Sequence, residues 1–278
     1  MPLVTTKEMF EKSMKEHFAI GAFNVNNMEI IQGIVDAAAE EKSPVILQCS
    51  HGAIKYARIP YLRKMIEASL EEHDIPIVLH LDHGPDFETC KMCINNGFTS
   101  VMIDASLKRI DTNIDMTNEV IEYARKKRVI VESEIGSIGK HDASDTKNAS
   151  VTGSIIFVKK TKVDLLAPAV GNVHGIYKEF PNINVKLIKE ISENTDLPLV
   201  LHGASGINNK TLRECIKNGI CKVNINTDLQ VAWAKEVRKL LETDSSVYDP
   251  RKIISSGEKA VVKVIKEKLE TLNSINRY

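Results

Sequence analysis

Along this chain, short runs of β-branched and other apolar residues alternate with longer stretches in which apolar positions recur every three or four residues. The short runs predict eight strands, at 19–23, 44–48, 75–81, 100–103, 129–134, 163–168, 197–202 and 220–224. The longer stretches predict helices at 28–41, 61–72, 87–95, 114–127, 155–160, 185–193, 210–218 and 228–242. Two of the strand runs, Ile-Pro-Ile-Val-Leu and Leu-Pro-Leu-Val-Leu, are apolar without a polar alternate, as expected of parallel strands covered on both faces. Eight strand–helix units in roughly 250 residues is the arithmetic of an α/β TIM (β/α)8 barrel. An extra N-terminal helix at 6–15 and a C-terminal helical extension at 255–272 would be additions to it. A doubly wound open sheet competes, but no GxGxxG follows the first strand. No linker divides the chain, so residues 1–278 are read as one domain.

Polar residues fall at the strand ends. Asn24 follows the first strand, Ser50 the second, Asp82-His83 the third, Asp104 the fourth and Glu134 the fifth. His174 lies just past the sixth, His202 ends the seventh and Asn224 the eighth. In a barrel these ends converge on one mouth, where barrel enzymes do their chemistry. Asp104 and Ser50 also suit helix N-caps. Three histidines on three strand ends, with carboxylates beside them, point to a metal, and imidazole donors suit Zn²⁺. His80 lies three residues before His83, so on a regular strand the two face opposite sides. His83 is therefore the candidate ligand and His80 a core or lumen residue. His17, His51, His73 and His141 read as surface or loop residues.

Small residues follow the last two strands, in His202-Gly203-Ala204-Ser205-Gly206 and in Asn224-Ile225-Asn226-Thr227 ahead of a helix. Such loops let backbone N–H groups and a helix N-terminus meet an anion, although an ordinary capped turn has the same composition. Gly171-Asn172-Val173-His174-Gly175 sets glycines around a candidate ligand, and Lys178 adds a cation. Lys222 in the eighth strand would allow a metal-free Schiff-base route, but is read as pointing away from the side that Asn224 faces.

Charge and composition narrow the classes. Lys plus Arg and Asp plus Glu both number 37, so no basic field exists to hold nucleic acid or an anionic membrane. No apolar run has membrane-spanning length and no charged-then-apolar leader is read at the start. Five cysteines without framework spacing suggest reduced thiols and a cytoplasmic location. The lone CxxC at Cys90 and Cys93 has no redox context.

Several stretches together resemble one family. These are Ala22-Phe23-Asn24, His80-Leu81-Asp82-His83-Gly84, the run from Gly97 to Ser106, Glu132-Ser133-Glu134-Ile135-Gly136, Gly171 to Gly175, Leu199 to Gly206 and Tyr248-Asp249-Pro250-Arg251. The chain is similar in them to the class II, metal-dependent fructose-bisphosphate aldolases, which include tagatose-bisphosphate aldolases. The resemblance implies a lyase of carbohydrate metabolism, a homodimer or homotetramer of TIM barrels, with zinc on His83, His174 and His202. It implies that Asp82 handles the proton on the C4 oxygen and that Glu134 and Asp104 support the metal site. Asn24, Ser50 and Asn224 would contact the ketose or its enediolate. Gly175, Lys178, Gly203 and Ser205 would hold one phosphate, with Asn226 and Thr227 nearby. Backbone carbonyls of Val173, Gly175 and Gly203 would hold a monovalent cation, Na⁺ or K⁺. Arg251 would reach the second phosphate in a neighbouring subunit.

The chain departs from the family pattern at Lys140 and Asp142, in the loop after the fifth strand, and at Asn226. The family's loop there carries Gly-Gly-x-Glu-Asp, whose glutamate exchanges the C1 proton. Here Gly139-Lys140-His141-Asp142 puts the shorter Asp142 at that place. Asn226 stands where fructose-specific members often carry an aspartate. The expected reaction is reversible aldol cleavage of a ketose 1,6-bisphosphate, with fructose favoured, to dihydroxyacetone phosphate and glyceraldehyde 3-phosphate. The alternatives are a tagatose-bisphosphate or other phosphorylated-sugar aldolase, or a non-catalytic sugar-phosphate binder with an altered lid. A zinc hydrolase is disfavoured, because the first strand ends in Phe23-Asn24 rather than His-x-His.

Overall fold

Eight parallel strands close on themselves in the computed structural model, which describes residues 3–4, 7–140, 146–175, 177 and 181–278. In chain order the strands are β1 Ile20–Asn24, β2 Val45–Ser50, β3 Ile77–Gly84, β4 Ser100–Ile103, β5 Ile130–Ile135, β6 Gly139–Lys140, β7 Leu165–Pro168, β8 Val173–His174, β9 Leu199–Leu201 and β10 Ile220–Ile225. The barrel runs β1-β10-β9-β7-β5-β4-β3-β2 and back to β1, while β6 and β8 pair with each other outside it. The expected TIM barrel is therefore present.

The helices are α1 Lys7–Glu16, α2 Met28–Glu40, α3 His51–Ala57, α4 Ile59–Glu72, α5 Phe87–Asn95, α6 Ile110–Arg125, α7 Val151–Thr161, α8 Val185–Thr195, α9 Asn209–Lys217, α10 Thr227–Thr243, α11 Pro250–Ser255 and α12 Glu258–Thr271. Their starts follow capping chemistry. Asp86, Ser150, Asn184 and Asn208 each accept a hydrogen bond from the backbone N–H three residues on, a contact that stabilises a helix by about 1 kcal/mol. The helix α3 was not expected, being too short for its periodicity to stand out. The C-terminal extension is two helices rather than one. The Trp233 indole of α10 donates to the Ile254 carbonyl at 2.9 Å and packs against Gly257, where the chain turns between them.

Two layers of burial place the site. Outside the barrel wall, odd-numbered strand residues such as Leu47, Leu79, Val101 and Val131 pack with the helices in a continuous apolar cluster. Inside, Ile20, Ala22, Ile46, Val78, Leu165, Ala167 and Val200 fill the lower lumen, closed from below by Phe10 of α1 and by Phe18. Higher in the lumen the inward residues turn polar: Gln48, His80, Ser100, Glu132 and Lys222 are all buried. Because side chains alternate along a strand, the next inward position up each strand opens into the mouth. Asn24, Ser50, Asp82, Glu134, His202 and Asn224 hold those positions.

Candidate active site

Strand β3 supplies two mouth residues in succession, and its backbone explains how. Pairing with β4 slips between Leu81 and Gly84, so three steps on β3 match two on β4. His83 takes φ +51°, a left-handed conformation that costs a non-glycine residue on the order of 1–3 kcal/mol. This bulge ends the regular alternation. The expectation that His80 and His83 lie on opposite faces is thereby corrected. His80 points into the lumen and His83 into the mouth, on the same side of the barrel wall.

His83, Glu134, His174 and His202 each bring a ligand atom to one place, and those atoms lie within 4.8 Å of one another. The rings of His83 and His202 meet edge-on with centroids 4.8 Å apart, as do those of His83 and His174. Asp104 stands behind this group. Its Oδ2 lies 2.7 Å from His83 Nδ1, and its Oδ1 accepts from the Ser106 hydroxyl at 2.7 Å. Asp104 thus orients the His83 ring and lies outside the four-residue cluster.

The protonation pattern follows from burial and neighbours. Burial works against charge on His83, yet Asp82, the hydrogen bond to Asp104 and Glu134 push it up to about 9. Burial and the adjacent His83 pull His174 down to about 3. Burial, with Asp104 beside it, pushes Glu134 up to about 8. Glu134 Oε2 is buried without a hydrogen-bond partner among the described residues. His83 Nε2 lies 3.1 Å from His202 Nδ1. An orphaned carboxylate oxygen facing three imidazoles is the donor set that fits a divalent cation of borderline softness.

Asp82 is buried beside the cluster. Burial opposes its ionisation, but His83, His202, Lys222 and the Asn24 amide hold its carboxyl below the usual range. Asn24 Nδ2 donates to Asp82 Oδ2 at 2.9 Å and Asn224 Nδ2 to Oδ1 at 3.2 Å. Gln48 Nε2 in turn donates to Asn24 Oδ1 at 2.6 Å. Sequence reading missed Gln48, although its place two residues before Ser50 on β2 puts it on the same inward face.

A cavity of about 410 Å³ opens above these groups. Asn24, Ser50, Asp82, His83, His174 and Asn224 line its floor and walls, and Gly175, Gly203, Ser205, Asn226 and Thr227 one rim. Ser50 has two attachments: it lines the cavity, and its Oγ caps α3 by accepting from the Ala53 N–H at 3.1 Å. Ser205 Oγ accepts from the Asp228 N–H at 3.2 Å, tying that rim to the start of α10. Gly203 has φ +58°, and a Cβ there would lie 2.0 Å from the Val173 carbonyl oxygen. The Val173 backbone is thus packed directly against Gly203. The Tyr177 hydroxyl donates to the Gly203 carbonyl at 2.9 Å. Arg251 lies elsewhere, on α11, with its side chain exposed and paired to Asp249 at 2.8 Å. Asp142, Lys178 and His141 lie outside the described residues.

Lys222 corrects a second expectation. Positions 222 and 224 are two apart and so share a face. The Lys222 ammonium points into the lumen, 2.7 Å from Glu132 Oε2 and 3.1 Å from His80 Nε2. Cys90 and Cys93 are both buried, and burial pushes their thiols well above the ordinary range, in keeping with an inert CxxC.

A barrel with a histidine cluster that could hold a cation and a buried carboxylate at its mouth is the arrangement of a metal-dependent class of TIM-barrel enzyme. The description of the class II fructose-bisphosphate aldolases matches residues 4–277. A Staphylococcus epidermidis protein named fructose-bisphosphate aldolase is 42% identical over 284 residues, spanning 100% of this chain and 99% of its own. One of that name from Geobacillus stearothermophilus is 41% identical over 99% of this chain and 98% of its own. The crystal structure of the YdjI aldolase from Escherichia coli K12 superposes with a TM-score of 0.89 at 30% identity, covering 99% of each chain. This chain belongs to the class II fructose-bisphosphate aldolase family, a family of aldehyde-lyases that is generally metal-dependent.

Proposed function

We propose that this enzyme reversibly cleaves fructose 1,6-bisphosphate to dihydroxyacetone phosphate and glyceraldehyde 3-phosphate. The observation that carries the reading is the meeting of His83, Glu134, His174 and His202 beside the buried, ionised Asp82. Three imidazoles and one carboxylate suit zinc, and those four residues would hold it, with Asp104 fixing the His83 ring. When bound, the metal supplies Lewis acidity for the charge that appears on the ketone fragment as the carbon–carbon bond breaks.

The remaining work falls to this chain's own groups. Asp82, held ionised, takes the proton from the C4 hydroxyl as general base. Asn24 and Asn224 keep its two oxygens aimed at the cavity, and Gln48 holds Asn24. Asn224 also faces the ketose with its unpaired, buried Oδ1. Ser50 contributes its hydroxyl to the same wall. Gly175, Gly203, Ser205, Asn226 and Thr227, with Lys178, hold one phosphate at the start of α10, where backbone N–H groups and the helix dipole favour an anion. Carbonyls of Val173, Gly175 and Gly203 hold a monovalent cation, Na⁺ or K⁺. Asp142 gives a proton to the carbon freed by the cleavage, which becomes the hydroxymethyl carbon of dihydroxyacetone phosphate. Arg251, exposed on its own protomer, meets the second phosphate across a homodimer or homotetramer interface. Among the described residues no helix is long and apolar enough to cross a membrane. We assign the enzyme to the cytoplasm because its five cysteines are free thiols.

Tagatose 1,6-bisphosphate, the C4 epimer, is the second reading, and Asn226 favours it. Its buried Oδ1 is unpaired at the cavity rim, where an aspartate would carry a charge. Triose phosphate release from the two epimers, measured side by side with metal-loaded enzyme, tests both. Faster cleavage of the fructose epimer is expected. Cleavage of neither would count against the aldolase reading and favour a sugar-phosphate binder.

A further inference from the structure

Beneath the mouth, five side chains, four on strands and one just past the end of β9, form one buried hydrogen-bonded line. Ser100, His80, Lys222, Glu132 and His202 are each at most 1% exposed. Hydrogen inventory fixes the direction of every bond in it. An ammonium has only hydrogens to offer, so Lys222 donates both to Glu132 Oε2 at 2.7 Å and to His80 Nε2 at 3.1 Å. His80 therefore accepts at Nε2 and carries its proton on Nδ1, donating to the Ser100 hydroxyl at 2.8 Å. Glu132, held ionised by Lys222, can only accept, so the contact of 2.9 Å from His202 Nε2 to Oε1 puts a proton on that nitrogen. The Asn224 amide nitrogen also lies 3.3 Å from His202 Nε2, but the carboxylate contact is shorter and charge-assisted and decides the tautomer.

We infer that Lys222, acting through Glu132, is a positioning residue that locks His202 as its Nε2–H tautomer and so turns the Nδ1 lone pair toward His83, His174 and Glu134. The inference rests on the metal centre proposed above and adds to it a charge-balanced support that reaches two side chains deep. Lys222 neutralises Glu132 where no water can. Without it, Glu132 would be a buried, unpaired anion with nothing to fix the oxygen that holds His202 Nε2. The lysine that invites a Schiff-base reading is thus committed to the metal ligand, with two of its hydrogens already engaged.

Two measurements test this. In the metal-stripped wild type, nitrogen spectra of isotope-labelled histidine should give His202 protonated at Nε2 and bare at Nδ1. A proton on Nδ1 instead would overturn the inference, and this arm needs no variant to fold. The second is Zn²⁺ titration against a chromophoric chelator, with thermal unfolding as the check on folding. Lys222→Met and Glu132→Gln should each weaken binding by about tenfold or more. The double variant should bind no more weakly than Glu132→Gln alone, because both changes cut the same line. A folded Lys222→Met with wild-type affinity, or losses that multiply in the double variant, would overturn it. A wild-type chain that binds no divalent ion would overturn the metal centre itself, and the tautomer spectrum separates that failure from failure of the line.

Discussion

Asp104 Oδ2 lies 2.7 Å from His83 Nδ1, on the side of the ring turned away from the other histidines. The bond takes up the Nδ1 proton and leaves Nε2 facing His202 and the mouth. A ligand imidazole gains basicity and a fixed orientation from such a partner. Asp104→Ala is expected to weaken metal binding about 10–100-fold. Chelator competition measures it, and an unchanged affinity would exclude Asp104 from the ring's support.

Asp82 is the proposed base, so its removal should strike turnover rather than metal content. Asp82→Asn keeps the shape and loses the proton acceptor. A kcat loss on the order of 10²–10⁴-fold is expected for a missing general base, with metal content per chain unchanged. Steady-state kinetics with elemental analysis of the same sample checks both halves.

Gly203 and Gly206 are both left-handed but differ in space. A Cβ on Gly203 would sit 2.0 Å from the Val173 carbonyl oxygen, whereas one on Gly206 would meet only Tyr177 Cδ2 at 3.4 Å. Each Ala substitution costs on the order of 1–3 kcal/mol for the backbone conformation. Gly203→Ala adds the clash and displaces the neighbouring His202. It should lower Tm clearly more than Gly206→Ala and reduce metal uptake as well. Differential scanning calorimetry of the two variants decides it.

Acid sensitivity should be traceable to His80, which faces Lys222 from β10, Glu132 from β5 and Ser100 from β4. Burial and the Lys222 ammonium pull its pKa from 6.5 down to about 3. The unfolded chain takes up this proton near 6.5 and the folded chain resists it. The stability owed to neutral His80 is therefore complete above pH 6.5 and is lost as pH falls from 6.5 toward 3. His174, pulled down to about 3, adds slope of the same sign. His80→Gln should remove one proton's share, at most about 1.4 kcal/mol per pH unit, from the slope of urea-derived stability on the acid side.

Much of this was legible in the sequence, and the exceptions have physical reasons. Continuous apolar runs mark buried parallel strands, so the eight barrel strands were readable, and the polar residue capping each run marked the mouth. The bulge in β3 was not readable, because a left-handed His83 leaves no compositional trace. Strand β3 consequently runs to Gly84 rather than ending at Leu81. The pair β6 and β8 is only two residues per strand and carries no periodicity. Lys222 was a misreading of a legible signal, since its parity with Asn224 already put it in the lumen. Glu132 was overlooked although it shares the inward face of Glu134. Partners that meet across the lumen, as β3, β5 and β10 do at His80, Glu132 and Lys222, become visible only once the barrel closes.

The most direct test of the metal-centred reading joins elemental analysis to fructose 1,6-bisphosphate cleavage on the same preparation. The expected result is bound zinc, loss of cleavage when a chelator strips it, and recovery when Zn²⁺ is returned. Cleavage that persists after every divalent ion has gone would contradict it.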